Sequence, residues 1–158
     1  MVLQGTSYET AFEGSNGVTC LVSRSQPLSI EPICYDSEAS KTILPREVRR
    51  VELRLAGLSP EEIDRQIEQA IGSGELALPQ RPAMMYMMSA DQILYSDSET
   101  RVGAFYPHIH VHIPYATAQQ FGGLSVDGPS TGAAYMFDGG KPTANLVIIV
   151  REFTQPQG

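Results

Sequence analysis

His108-Ile109-His110-Val111-His112-Ile113 places the only three histidines of the chain at every second position of an apolar stretch. Successive side chains of a β-strand point to opposite faces. The alternation therefore predicts a strand over roughly 104 to 114, with Ile109, Val111 and Ile113 turned to a core and all three imidazoles lining the other face. Neutral imidazole is a common ligand for transition metals, and alternate residues of a strand stand roughly 6 to 7 Å apart, close enough for two ring nitrogens to meet at one ion. His108 and His112 lie about 13 Å apart along such a strand, so three imidazoles do not easily share an ion. The arrangement expected is an adjacent pair drawn from His108, His110 and His112, completed by a carboxylate from another strand, with Asp138 and Glu152 as candidates. A divalent metal, zinc ahead of copper, is the expected cofactor. Acid–base work by His108 and His110, with a hydroxyl from Tyr115 or Tyr86, is the other chemical use of the same face. The plainest reading is a polar strand surface with no chemistry.

Downstream of this strand, Ala133 to Phe137 and Asn145 to Glu152 read as two strands flanking the turn Asp138-Gly139-Gly140-Lys141-Pro142. Upstream, Pro79 and Pro82 exclude a helix before Ala83-Met84-Met85-Tyr86-Met87-Met88, which reads as a short buried strand. Its thioethers are soft ligands suited to Cu(I), but methionine on a buried strand is more often core filler. Alternation allows only half of them to meet the histidines.

Leu44, Val48, Val51 and Leu55 recur at helical spacing after Pro45, a good first-turn residue, and Gly57 supplies the stop. Ser59-Pro60-Glu61-Glu62 reads as a capping box ahead of Ile63, Ile67, Ile71 and the terminator Gly72. A connection of two or three residues makes the pair a helical hairpin over 44–72 that covers a sheet. Residues 7 to 13 and 17 to 24 read as strands joined by the turn Gly14-Ser15-Asn16-Gly17, and 25–43 reads as a long loop. The sum is a single α+β domain over 1–158: an antiparallel sheet of about five strands, formed by the opening hairpin and 83–152, with one helical hairpin packed on it.

With 158 residues, 42% hydrophobic and 18% charged, the chain is ordinary for one folded domain. Its longest aliphatic run, Leu146 to Val150, is far too short to cross a bilayer. A formal charge of −7 opposes nucleic acid and anionic lipid as partners. The basic cluster Arg46, Arg49, Arg50 and Arg54 is interleaved with Glu47 and Glu52 and reads as a solvated helix face. The partner expected is a small molecule or an envelope component. A serine nucleophile elbow and a phosphate-binding glycine loop are both missing from the sequence.

The two cysteines, Cys20 and Cys34, sit in polar, turn-rich segments and suit a single disulfide, worth about 3 kcal/mol in the chain-entropy model. No basic, apolar leader precedes Gly5. The expectation is a periplasmic or secreted protein whose signal has been removed, with a cytosolic protein carrying reduced thiols as the alternative.

Two resemblances accompany this reading. His108-Ile109-His110-Val111-His112-Ile113-Pro114 resembles the motif of the histidine-triad nucleotide hydrolases and transferases. That likeness implies His110 as a nucleophile supported by His108 and His112, although Gly103-Ala104-Phe105-Tyr106-Pro107 stands where that family has a Gly-Gln element. Several segments spread through most of the chain resemble an uncharacterised family of exported bacterial proteins with no known activity. They are Glu13-Gly14-Ser15-Asn16-Gly17-Val18-Thr19-Cys20-Leu21-Val22, Pro32-Ile33-Cys34-Tyr35-Asp36, Tyr86-Met87-Met88-Ser89, Pro107-His108 with Pro114-Tyr115, and Gly140-Lys141-Pro142 before Leu146-Val147-Ile148-Ile149-Val150. This second resemblance implies export and makes His108 the shared histidine. His110 and His112 depart from the pattern, since those positions are often apolar or aromatic in that family.

Overall fold

A computed structural model describes residues 1–24, 26, 28–96, 100–101, 106–125 and 134–150. Strand β1 (Val2–Gln4) pairs with β2 (Ser7–Glu9) in a small two-stranded sheet, the turn between them using Gly5 at φ +61°. The main sheet holds six strands: β3 (Thr19–Ser23), β4 (Glu31–Tyr35), β5 (Ala83–Met87), β6 (His108–His112), β7 (Ala134–Phe137) and β8 (Asn145–Ile149). They lie in the order β3-β4-β5-β6-β8-β7. Every neighbouring pair is antiparallel. Two helices, α1 (Ala39–Leu55) and α2 (Pro60–Gly72), complete an α+β architecture. Among the described residues no helix is long and apolar enough to cross a membrane.

The opening hairpin expected across Asn16-Gly17 does not form. Asn16 does accept a hydrogen bond from the Val18 amide and Gly17 does take φ +75°, but the turn joins β2 to a strand in another sheet. The true partner of β3 is β4, in the register Cys20↔Cys34. β4 lies inside the segment 25–43 expected to be a loop, where prolines, serines and weak periodicity hide a strand. Pro32 falls where β4 pairs with β3 but not with β5, so its missing N–H interrupts no ladder on that side.

Helix α1 starts at Ala39, before the expected Leu44. The Asp36 carboxylate accepts from the amides of Glu38 and Ala39 and closes the first turn, so Pro45 sits inside the helix instead of opening it. Pro45 is exposed and Ile43, Leu44 and Val51 are buried, so the backbone defect falls away from the core. Four residues, 56–59, connect the helices, one more than expected. Ser59 caps α2 through the Glu62 amide as anticipated, while the Glu62 carboxylate bonds Arg65 and Gln66.

Ala39, Ile43, Leu44 and Val51 of α1 pack against Leu21, Ile33, Tyr35, Ala83, Met85 and Met87 of the sheet. This identifies the covered face. Directly opposed residues of an antiparallel pair share a face, and β6 sets His112 against Ala83, His110 against Met85 and His108 against Met87. The imidazoles therefore lie on the helix-covered side of the sheet, and Ile109 and Val111 lie on the reverse. This inverts the expected orientation. Period-two alternation states that three rings share a side, but not which side the helices cover. The reverse face has its own small core, where Ile113 and Leu146 pack against Ala116, Met136 and Ala144.

Candidate functional site

The three rings follow one another along β6. His108 and His110 have ring centres 4.9 Å apart at an interplanar angle of 61°, and His110 and His112 are 5.9 Å apart and nearly parallel, at 14°. His108 and His112 are each only 4% exposed, while His110 is partly buried.

Hydrogen bonding sets the tautomers. His108 Nδ1 lies 2.8 Å from the Tyr106 carbonyl oxygen, which can only accept, so Nδ1 carries the hydrogen and Nε2 the lone pair. His110 Nδ1 lies 2.9 Å from Asn145 Oδ1. The Asn145 amide nitrogen donates to the Thr143 carbonyl, which orients the amide and makes Oδ1 the acceptor, so His110 also carries its hydrogen on Nδ1. Metal-binding histidines characteristically donate the other ring N–H to an oxygen acceptor in this way. His112 differs, because both of its ring nitrogens are buried without a hydrogen-bond partner.

Burial dominates the protonation equilibria. It lowers His110 to about 4, assisted by the neighbouring His108 and opposed by the bond to Asn145. It lowers His112 to about 2, assisted by Arg46 and His110. His108 is also lowered by burial, against the bond to the Tyr106 carbonyl. All three imidazoles are therefore neutral at pH 7.

Asn145 connects this row to a cleft of about 900 Å³ between the helices and the β7–β8 end of the sheet, lined also by Arg46, Glu47, Asp64, Tyr115 and Phe137. Of the basic residues of α1, Arg49 is exposed as expected, but Arg46 is not part of a solvated face. Arg46 is 8% exposed and pairs with Glu47, Arg50 pairs with Asp64, and Arg54 donates to Gln26. Arg46 was hidden in the sequence by its charge, since such groups are buried only when paired.

The other candidates separate cleanly. Tyr115 reaches the cleft wall, held at φ 63° with its amide donating to the Lys141 carbonyl. Asp138 lines the same cleft, but its carboxylate is engaged by Lys141 and Thr143 of its own turn. Tyr86 stands opposite Ile109 on the reverse face and bonds Met84, away from the imidazoles. Glu152 and residues 102–105 lie outside the described residues. Among the described residues, no three or more His, Cys, Asp or Glu side chains converge as a ligand set. The carboxylate with an electrostatic effect on His110 is Glu47 of α1.

Two neutral rings bound through Nε2 to one tetrahedral ion, at about 2.0–2.1 Å per bond, hold their centres about 5 Å apart. The His108–His110 separation of 4.9 Å matches this spacing. Comparison with protein-family models, with curated proteins and with solved structures finds no match.

Proposed function

We propose that this protein is exported and binds a transition-metal ion through Nε2 of His108 and His110. The observation that carries the reading is the paired tautomer: both Nδ1–H groups are held by oxygen acceptors and the rings stand 4.9 Å apart. Export is supported by the Cys20–Cys34 bridge. Metal binding is favoured over general-base catalysis because an imidazole held near 4 is a weak base at neutral pH, yet keeps its lone pair for coordination.

Protein loaded separately with zinc, copper, nickel and iron and then dialysed is expected to retain close to one equivalent of at least one metal by elemental analysis. His108→Ala and His110→Ala are expected to lose it while keeping the wild-type circular dichroism. Retention of no metal under any loading condition would remove the reading. It would leave a non-catalytic envelope module in which the rings serve only packing.

A further inference from the structure

The cross-strand partners of the two candidate ligands are both thioethers: Met85 is directly opposite His110, and Met87 directly opposite His108. Directly opposed residues in an antiparallel pair have Cβ atoms about 4.5–5.5 Å apart. The Cβ atoms of two imidazole and two thioether side chains thus mark a square on the helix-covered face. Met85 and Met87 are buried there, while Met84 falls on the reverse face.

Three properties of this square select among metals. First, none of the four side chains is a carboxylate or a thiolate, and the ring of His112, which stacks on His110, adds no anionic group. Second, the carboxylate that acts on His110, that of Glu47, is already ion-paired to a guanidinium and so offsets a cation only in part. The guanidinium is that of the buried Arg46, whose field also reaches His110 and His112. Third, the cost of desolvating an ion rises with the square of its charge, so a divalent ion pays about four times what a monovalent one does in the same neutral setting. Thioethers bind soft ions and contribute little to zinc, whereas imidazole serves both. Of the four, only His110 keeps some solvent exposure.

We infer that Met85, Met87, His108 and His110 form a site for monovalent copper. This rests on the metal-binding reading above, and narrows it to a soft, singly charged ion held by two strands.

The test is anaerobic titration of the whole chain with Cu(I) buffered by bicinchoninate, alongside Zn(II) titration against a chromophoric chelator. The Met85→Leu/Met87→Leu double variant conserves side-chain volume and leaves both histidines in place. The wild type is expected to withdraw one equivalent of Cu(I) from bicinchoninate. The double variant is expected to bind Cu(I) on the order of 100-fold more weakly, with zinc affinity altered less than about threefold. X-ray absorption on the copper-loaded wild type is expected to show sulfur as well as nitrogen bound to the metal, a readout independent of how the variant folds. Cu(I) affinity unchanged in the double variant, a copper spectrum without sulfur, or zinc retained in preference to Cu(I) would each overturn the copper assignment and leave metal binding intact. Failure to bind either ion would overturn both.

Discussion

Lowering the pH from 7 to 4 is expected to remove several kcal/mol of stability from the metal-free protein. In the unfolded chain a histidine titrates near 6.5. In the folded protein His110 titrates at about 4 and His112 at about 2. As pH falls below about 6.5 the unfolded state takes up protons that the folded state refuses, so the equilibrium moves toward unfolding. The stabilisation is complete above about pH 7 and is lost progressively as pH falls from about 6.5 toward the folded values. Each ring contributes about 1.4 kcal/mol per pH unit over this range, giving a loss on the order of 5 kcal/mol by pH 4. That is comparable to the whole stability of many domains.

His112→Leu should separate this effect from carboxylate titration. It removes two buried nitrogens without partners, so stability at pH 7 is expected to rise by about 1–2 kcal/mol and the acid loss to shrink by about half. Urea unfolding midpoints at pH 7, 5.5 and 4.5 provide the measurement. Midpoints that do not move between pH 7 and 5.5 would mean that the rings are solvated.

Reduction of the Cys20–Cys34 disulfide carries the second large effect. The bridge joins directly opposed residues of β3 and β4 across a sequence separation of 14. Closing a loop of that size stabilises by about 3 kcal/mol through the unfolded state. For a domain of this length the loss corresponds to a fall in Tm of roughly 6–12 °C. Cys20 is exposed, so a reductant can reach the bridge in the folded protein. Calorimetry of Cys20→Ser/Cys34→Ser against wild type tests this, and an unchanged Tm would show that the strand pair holds without the bridge. Strands β4 and β5 separate β3 from the histidine strand, so metal binding is expected to survive the substitution.

The parts of this structure that could be read from sequence are those set by local physics. Alternation in 108–113 gave the strand, Ile63 and Ile67 with the Ser59 cap gave α2, and the scarcity of cysteine gave the bridge. The start of α1 was obscured because Asp36 caps it from outside the apolar repeat and because an interior proline imitates a first-turn proline. β4 was obscured by prolines, serines and weak periodicity, and its Pro32 is harmless only because β5 stops short of it.

The site was half legible. The imidazole row was visible, but its orientation was not, since alternation is symmetric between faces until the position of α1 is known. Asn145 lies 35 residues from His110 and meets it only because β8 pairs with β6. Arg46 and Glu47 resembled an ordinary charged helix surface. The pairing of Met85 and Met87 with the histidines depends on a register that no single strand encodes.

His108 and His110 present Nε2 lone pairs because oxygen acceptors hold their Nδ1 hydrogens. Long-range 1H–15N correlation spectra of histidine-labelled, metal-free protein at pH 7 test it directly. The expected result is a protonated Nδ1 and an unprotonated Nε2 for both rings. Protonated Nε2 on either ring, or an imidazolium pattern, would contradict it.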